Sequence, residues 1–115
     1  MPISSPATGS YKNLTEILES LHEYLQNTYA ETLAQVILFG SQARNEADTD
    51  SDIDILIVLK TNFDNYQESK RISLFISDLC LEYDVVVTCF FATLKQWQTR
   101  NSALFRNIRS EGITL

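Results

Sequence analysis

Histidine, cysteine, glycine and proline are scarce in this chain, and positive charge is outnumbered. Its 115 residues hold one histidine, two cysteines, three glycines and two prolines, with nine Lys and Arg against fifteen Asp and Glu. One histidine and two cysteines do not make a zinc site. Cys80 and Cys89 stand among apolar neighbours, so they are expected as buried thiols of a reducing cytoplasm rather than as a disulfide. A formal charge of −6 lacks the basic footprint of a protein that lives on nucleic-acid backbones, so direct nucleic-acid binding is not expected. Nucleotides remain open to an acidic chain where cations bridge the phosphates. No apolar run approaches the ~20 residues of a membrane span, so no membrane association is expected. Residues 1–10 have neither a basic region nor an apolar core and do not read as a secretory signal. With Pro2, Pro6 and Gly9 they read as a disordered tail. Residues 11–115 then form one domain, and the 44% apolar content suits a soluble core.

What is present is a regular alternation of helical and extended patterns. Leu14, Ile17, Leu18, Leu21, Tyr24 and Leu25 recur at helical spacing, with Asn13 and Glu16 placed as a capping pair. Residues 34–39 read as a buried strand, after which Ser41 is expected to start a short helix carrying Ala43 and Arg44. Residues 45–51 are polar and acidic, hence a loop. A second strand, rich in β-branched residues, spans 53–59. Asp64 is placed to cap a long helix marked by Tyr66, Ser69, Ile72, Phe75, Ile76 and Leu79. Tyr83 to Phe90 reads as a third strand, followed by a helical turn from Ala92 to Trp97. Ser102 caps a last helix through Arg109, Gly112 ends it, and Ile113-Thr114-Leu115 adds an edge strand. This order predicts an α/β or α+β fold, a small sheet with helices packed against it.

Chemistry concentrates between the first two strands. A glycine after a buried strand lets the backbone approach a ligand, and a serine opening a helix exposes orphan N–H groups. Gly40-Ser41 is therefore either a phosphate cradle or an ordinary strand-turn-helix cap, since both use the same groups. Arg44, one turn on, either faces a phosphate or pairs with Glu46, Asp48 or Asp50. Asp52 and Asp54 resist a bland explanation. Aspartate is depleted from strands, and two on one face repel unless a cation lies between them. Such a pair beside a phosphate cradle suits Mg²⁺ and a triphosphate. Asp84, read as the opening of the third strand across from Asp54, is the candidate third carboxylate, with Glu82 as its rival. Three carboxylates holding two Mg²⁺ ions would clamp the attacking and leaving oxygens of an in-line displacement. His22 is assigned no chemistry. Trp97, Phe90 and Phe91 read as core.

Gly40-Ser41-x-Ala43-Arg44, then Ser51-Asp52-x-Asp54, then a later strand aspartate, resembles the minimal nucleotidyltransferase (MNT) family of the DNA polymerase beta-like nucleotidyltransferase superfamily. The resemblance covers nearly the whole chain. It implies a small mixed β-sheet flanked by helices, the polymerase beta-like fold. It implies that Gly40, Ser41 and Arg44 serve the nucleotide triphosphate, that Asp52 and Asp54 bind Mg²⁺, and that Asp84 supplies the third acidic position, which also activates the attacking hydroxyl. Asn45 departs from the family's usual glycine after the arginine.

Short members of that family resemble antitoxins whose neighbour is a helical HEPN RNase toxin. The resemblance implies transfer of AMP from ATP onto a toxin hydroxyl in the cytoplasm. Two other functions stay open: a non-catalytic antitoxin that masks its partner by contact, and a transferase acting on a small molecule. Homo- or hetero-oligomerisation is also left open by the sequence.

Overall fold

The computed structural model describes residues 13–43 and 52–115. The tail expected at 1–10, and Arg44 with the acidic loop after it, lie outside these residues. Helix α1 spans Leu14–Tyr29 and leads through a 3₁₀ turn at Ala30–Thr32 into strand β1, Leu33–Phe39. Strand β2 (Ile53–Leu59), helix α2 (Asn65–Tyr83) and strand β3 (Val87–Thr93) follow, then α3 (Leu94–Thr99), α4 (Ala103–Glu111) and β4 (Ile113–Thr114). The sheet order is β3-β2-β1-β4. β1 runs antiparallel to both β2 and β4, whereas β2 and β3 are parallel across the α2 crossover. This is the mixed sheet with flanking helices expected from the sequence.

Each face of the sheet has its own cover. Ile53, Ile55, Ile57 and Leu59 alternate onto one face and pack with Leu14, Ile17, Leu18, Leu21 and Leu25 of α1 and with Ile72 and Leu79 of α2. Leu56 and Val58 point the other way and meet Ile37, Ala92, Phe105 and Ile108. A strand buried on both faces reads as an unbroken apolar run, which is why Ile55 to Leu59 carries no polar residue. The two large helices are clasped by a flat stack of Tyr24 on Phe75, centroids 3.9 Å apart. Tyr29 adds a hydrogen bond from its hydroxyl to Glu68 at 2.8 Å. Burial, then that carboxylate, pushes the Tyr29 phenol well above its ordinary range.

Capping follows the sequence at Asp64 and Ser102, whereas the helical turn expected from Ala92 starts only at Leu94, after β3 has run to Thr93. Asp64 accepts from the Gln67 N–H, and Ser102 from the Phe105 N–H. Thr93 and Gln96 form a reciprocal capping box at α3. Arg109 uses its guanidinium to tie α3 to α4, donating to the Trp97 carbonyl and, at 2.7 Å, to that of Arg100. Its position in the last turn of α4 also suits the helix dipole.

Three further local expectations are corrected. Asn13 makes no side-chain cap bond, because its backbone (φ −108, ψ 26) is not in the extended region a capping side chain needs. Glu16 hydrogen-bonds to Tyr83 instead. Ser41–Ala43 form a turn, not the start of an α-helix, closed by the Ala43 N–H on the Gly40 carbonyl at 3.1 Å. The third strand begins at Val87, not Tyr83. Tyr83 ends α2, Asp84 is its left-handed C-cap (φ 54), and the Asp84 and Val85 N–H groups both donate to the Cys80 carbonyl. That closure outweighs the strand propensity of Val85-Val86-Val87.

Gly112 fills a tight junction between α4 and β1. A Cβ there would stand 2.5 Å from the Ile108 carbonyl oxygen and 2.6 Å from Ile37 Cγ2. Gly112→Ala is expected to lower stability by about 1–3 kcal/mol, the usual range for forced overpacking. Urea unfolding checks this; an unchanged midpoint would show that the junction yields freely.

Candidate functional site

The alternation of β2 that buries Ile53 and Ile55 against α1 and α2 turns Asp54 to the opposite face. Directly beside Asp54 lie Phe39 of β1 and Thr88 of β3. The next row of the same face is Ile37, Leu56 and Phe90. Asp52, two residues before Asp54, is exposed at the start of β2. The two carboxylates feel each other. Asp54 is half-buried and its carboxyl is held above the usual carboxylate range, first by burial and second by the charge of Asp52. An ionised pair in this setting is destabilised by lost hydration and by mutual repulsion, which a bound cation relieves.

Gly40 is shaped around Asp54. Its φ of +76 lies in the left-handed region, and a Cβ would sit 2.5 Å from Asp54 Oδ2. Only glycine both takes this backbone and leaves that room. The turn it begins carries Ser41 half-exposed and Gln42 with its side chain 2% exposed. Gln42 is a residue that sequence pattern did not single out; a polar side chain pulled inward here fixes which way the turn faces. The structure thus brings Gly40, Ser41, Asp52 and Asp54 to one end of the sheet.

Asp84 does not join them as expected. The residue across from Asp54 is Thr88, because β3 starts four residues later than the sequence suggested. The Ile53 N–H donates to the Val86 carbonyl at 2.9 Å, so Val86 neighbours the start of β2. Asp84 stands two residues before Val86, outside the strand and exposed as the left-handed cap of α2. Among the described residues no three His, Cys, Asp or Glu side chains gather as a metal site. The fit to a divalent cation therefore rests on the Asp52–Asp54 pair.

Phe90, expected as core, is 43% exposed on the Asp54 face, its ring tilted against Phe39 with centroids 5.7 Å apart. Strand alternation puts Phe90 on this face in either register, but with Asp84 across from Asp54 it would lie six residues further along, whereas with Thr88 there it lies only two. Elsewhere, a cavity of about 290 Å³ opens between α2 and β3, lined by Ser69, Ser73, Ser77 and Cys80 with Cys89 and Phe91. It lies on the other face of the sheet from Asp54 and its lining carries no charge. Both cysteines are free thiols, and burial pushes that of Cys89 up to about 12.

Comparisons with known proteins bear on this arrangement. Residues 14–110 match the family described as nucleotidyltransferase domain. Two proteins of Methanocaldococcus jannaschii, provisionally named protein adenylyltransferases, are similar in sequence. One is 32% identical over 75 residues, spanning 65% of this chain and 75% of its own length. The other is 33% identical over 96 residues, spanning 79% of this chain and 86% of its own. A solved toxin–antitoxin structure with AMP-PNP superimposes with a TM-score of 0.59 at 20% identity, covering 84% of this chain and 70% of that one. The tri-AMPylated Shewanella oneidensis HEPN toxin in complex with MNT antitoxin gives 0.54 at 18% identity, with 86% and 69% covered. At such identity the likeness is one of fold.

The raised Asp54 carboxyl makes a stability prediction whose sign is opposite to that of a paired carboxylate. With the folded value above the unfolded one, ionisation at neutral pH weakens the fold, and protonation on acidification restores the loss. Asp54→Asn is expected to stabilise the fold at pH 7 by on the order of 1 kcal/mol or less after screening, and so to raise the thermal midpoint. The gain should shrink as pH falls through the folded-state value. Thermal unfolding at pH 7 and at mildly acidic pH checks this; a lowered midpoint at pH 7 would contradict it.

Proposed function

Because this chain belongs to the nucleotidyltransferase domain family, we propose that it transfers AMP from ATP onto a hydroxyl of a partner protein with release of pyrophosphate, and that this partner is a helical HEPN toxin which the modification silences. The observation that carries the reading is the bare Cα of Gly40 set against the Asp54 carboxylate. That contact joins a phosphate-cradling turn to an acidic pair within one small volume. The relatives named as protein adenylyltransferases support a protein acceptor. The fold shared with MNT antitoxins supports the toxin as that acceptor. Cytoplasmic action suits the two unbridged thiols.

Each part of the chain has a separate task in this proposal. The Ser41 hydroxyl and the N–H groups of the turn hold the terminal phosphates, with Arg44 added from the segment that follows. Asp52 and Asp54 would hold Mg²⁺, which when bound neutralises triphosphate charge and draws electron density from the α-phosphorus. The burial of Asp54 removes competing water, which strengthens its hold on a cation. Thr88 and Phe39 wall the pair on either side. The third acidic role, accepting the proton of the incoming hydroxyl, is assigned to Asp84 by resemblance, and so is a second Mg²⁺. Both require Asp84 to swing from its place at the end of α2 toward Asp52. Positioning and charge neutralisation dominate this class of reaction, so few groups suffice.

Labelled ATP, Mg²⁺ and a cognate helical partner should yield a labelled partner, and chelation of the metal should abolish the label. The double variant Asp52→Asn, Asp54→Asn should still bind the partner yet neither label nor silence it. If that variant silences the partner as well as the parent chain does, masking by contact replaces the enzymatic reading. Gly40→Ala is expected to cut transfer about 100-fold, the scale of a misplacement near 1 Å.

A further inference from the structure

We propose that Phe90, backed by Phe39, is the surface on which the base of the bound nucleotide stacks; this deepens the nucleotide-transfer reading and rests on it. Three observations converge on Phe90. It is an aromatic ring left 43% exposed in a chain that buries most of its large apolar side chains. It shares the sheet face of Asp54, one row further along, because it pairs with Leu56 as Thr88 pairs with Asp54. Its ring is fixed by Phe39, centroids 5.7 Å apart and planes 53° apart, and Phe39 itself is only 9% exposed.

The order of the strands gives the nucleotide a direction. The Gly40–Ser41 turn continues β1, the acidic pair opens β2, and Phe90 belongs to β3, with β2 central among the three. Adjacent strands lie about 4.8 Å apart. A nucleoside triphosphate laid crosswise would place its terminal phosphates over the β1 turn and its α-phosphate over the acidic pair. Its base would then fall over β3, where Phe90 offers an exposed π-face one row from Thr88. The neighbouring apolar positions of this face, Leu56, Val58 and Ala92, are shut in with Phe105 and Ile108. Phe90 stands at the margin of that cluster. A stacked base would cover this exposed ring.

Stacking contributes to binding of ATP and contributes nothing to binding of inorganic tripolyphosphate. Calorimetric titration of the full chain with each ligand in Mg²⁺ therefore isolates it. Phe90→Ala should weaken ATP about 10-fold, within the usual range for an aromatic under a base, and leave tripolyphosphate unchanged. Phe90→Trp should restore ATP affinity. Circular dichroism of both variants verifies the fold, and Phe90→Trp keeps the test decisive should the alanine variant fail to fold. An ATP-to-tripolyphosphate affinity ratio unaltered by Phe90→Ala overturns the proposal while sparing the nucleotide site. Loss of partner binding with that ratio unaltered overturns it likewise and makes Phe90 part of the acceptor's docking surface. A parent chain that binds neither ligand overturns the nucleotide reading itself.

Discussion

The antiparallel register of β1 on β2 is the constraint from which the site follows. Phe39 pairs with Asp54, so the first residue past β1 lands against that carboxylate. A slip of one residue would turn Asp54 into the core beneath α1 and α2 and drive Ile53 and Ile55 out. The register is therefore policed by burial. Four side chains, Ile53, Ile55, Ile57 and Leu59, enter the same cluster, each worth about 1.5–3 kcal/mol when withdrawn from water. Against that, the penalty of one half-buried carboxylate beside another is small. Hydrophobic packing on one face holds an unfavourable acidic pair in place on the other.

The glycine required at position 40 and the repulsion at Asp54 belong together. Gly40 adopts φ +76 and admits Asp54 Oδ2 where another residue would carry a Cβ. Neither feature strengthens the fold. Asp54 is disfavoured by strand propensity, by partial burial and by Asp52 at once. Local rules broken together at one point, in a chain that otherwise obeys them, distinguish a site from an ordinary turn. The left-handed backbone of Asp84 has a simpler cause: it ends α2, where such a backbone is routine.

Much of this was legible from residue order alone. The limits of β2 were readable because an apolar β-branched run starts abruptly after Asp52, and the Asp64 and Ser102 caps were readable from side-chain chemistry. The glycine-serine turn and the aspartate spacing were readable because both obey short-range geometry. Less was legible around β3. Tyr83-Asp84-Val85-Val86-Val87 looks extended throughout, yet α2 continues to Tyr83 because the closing bonds to the Cys80 carbonyl need Asp84 and Val85. No local propensity records a bond to a carbonyl four or five residues back when valines dominate the window. That single shift moved Thr88 into the place imagined for Asp84 and brought Phe90, already on that face by alternation, to within one row of Asp54. Gln42 escaped notice for a related reason: which way a turn faces is a tertiary fact.

The two faces of the sheet divide stability from chemistry. One face lies under α1 and α2 along its length, from Ile53 to Leu59. On the other, the cluster with α4 takes in Leu56, Val58 and Ala92, while the rows holding Asp52, Asp54, Thr88 and Phe90 retain exposure. A sheet with one face so covered and the other so divided has its hydrophobic stabilisation on one side and a ledge of polar and aromatic groups on the other. The short helices explain the division. α3 has 6 residues and α4 has 9, against 16 in α1 and 19 in α2. At 1.5 Å per residue, neither short helix can roof the sheet as the long ones do. Among the described residues, the opening over the acidic pair is thus set by helix length, a property written into the positions of Ser102 and Gly112 as firmly as the site is written into Gly40 and Asp54.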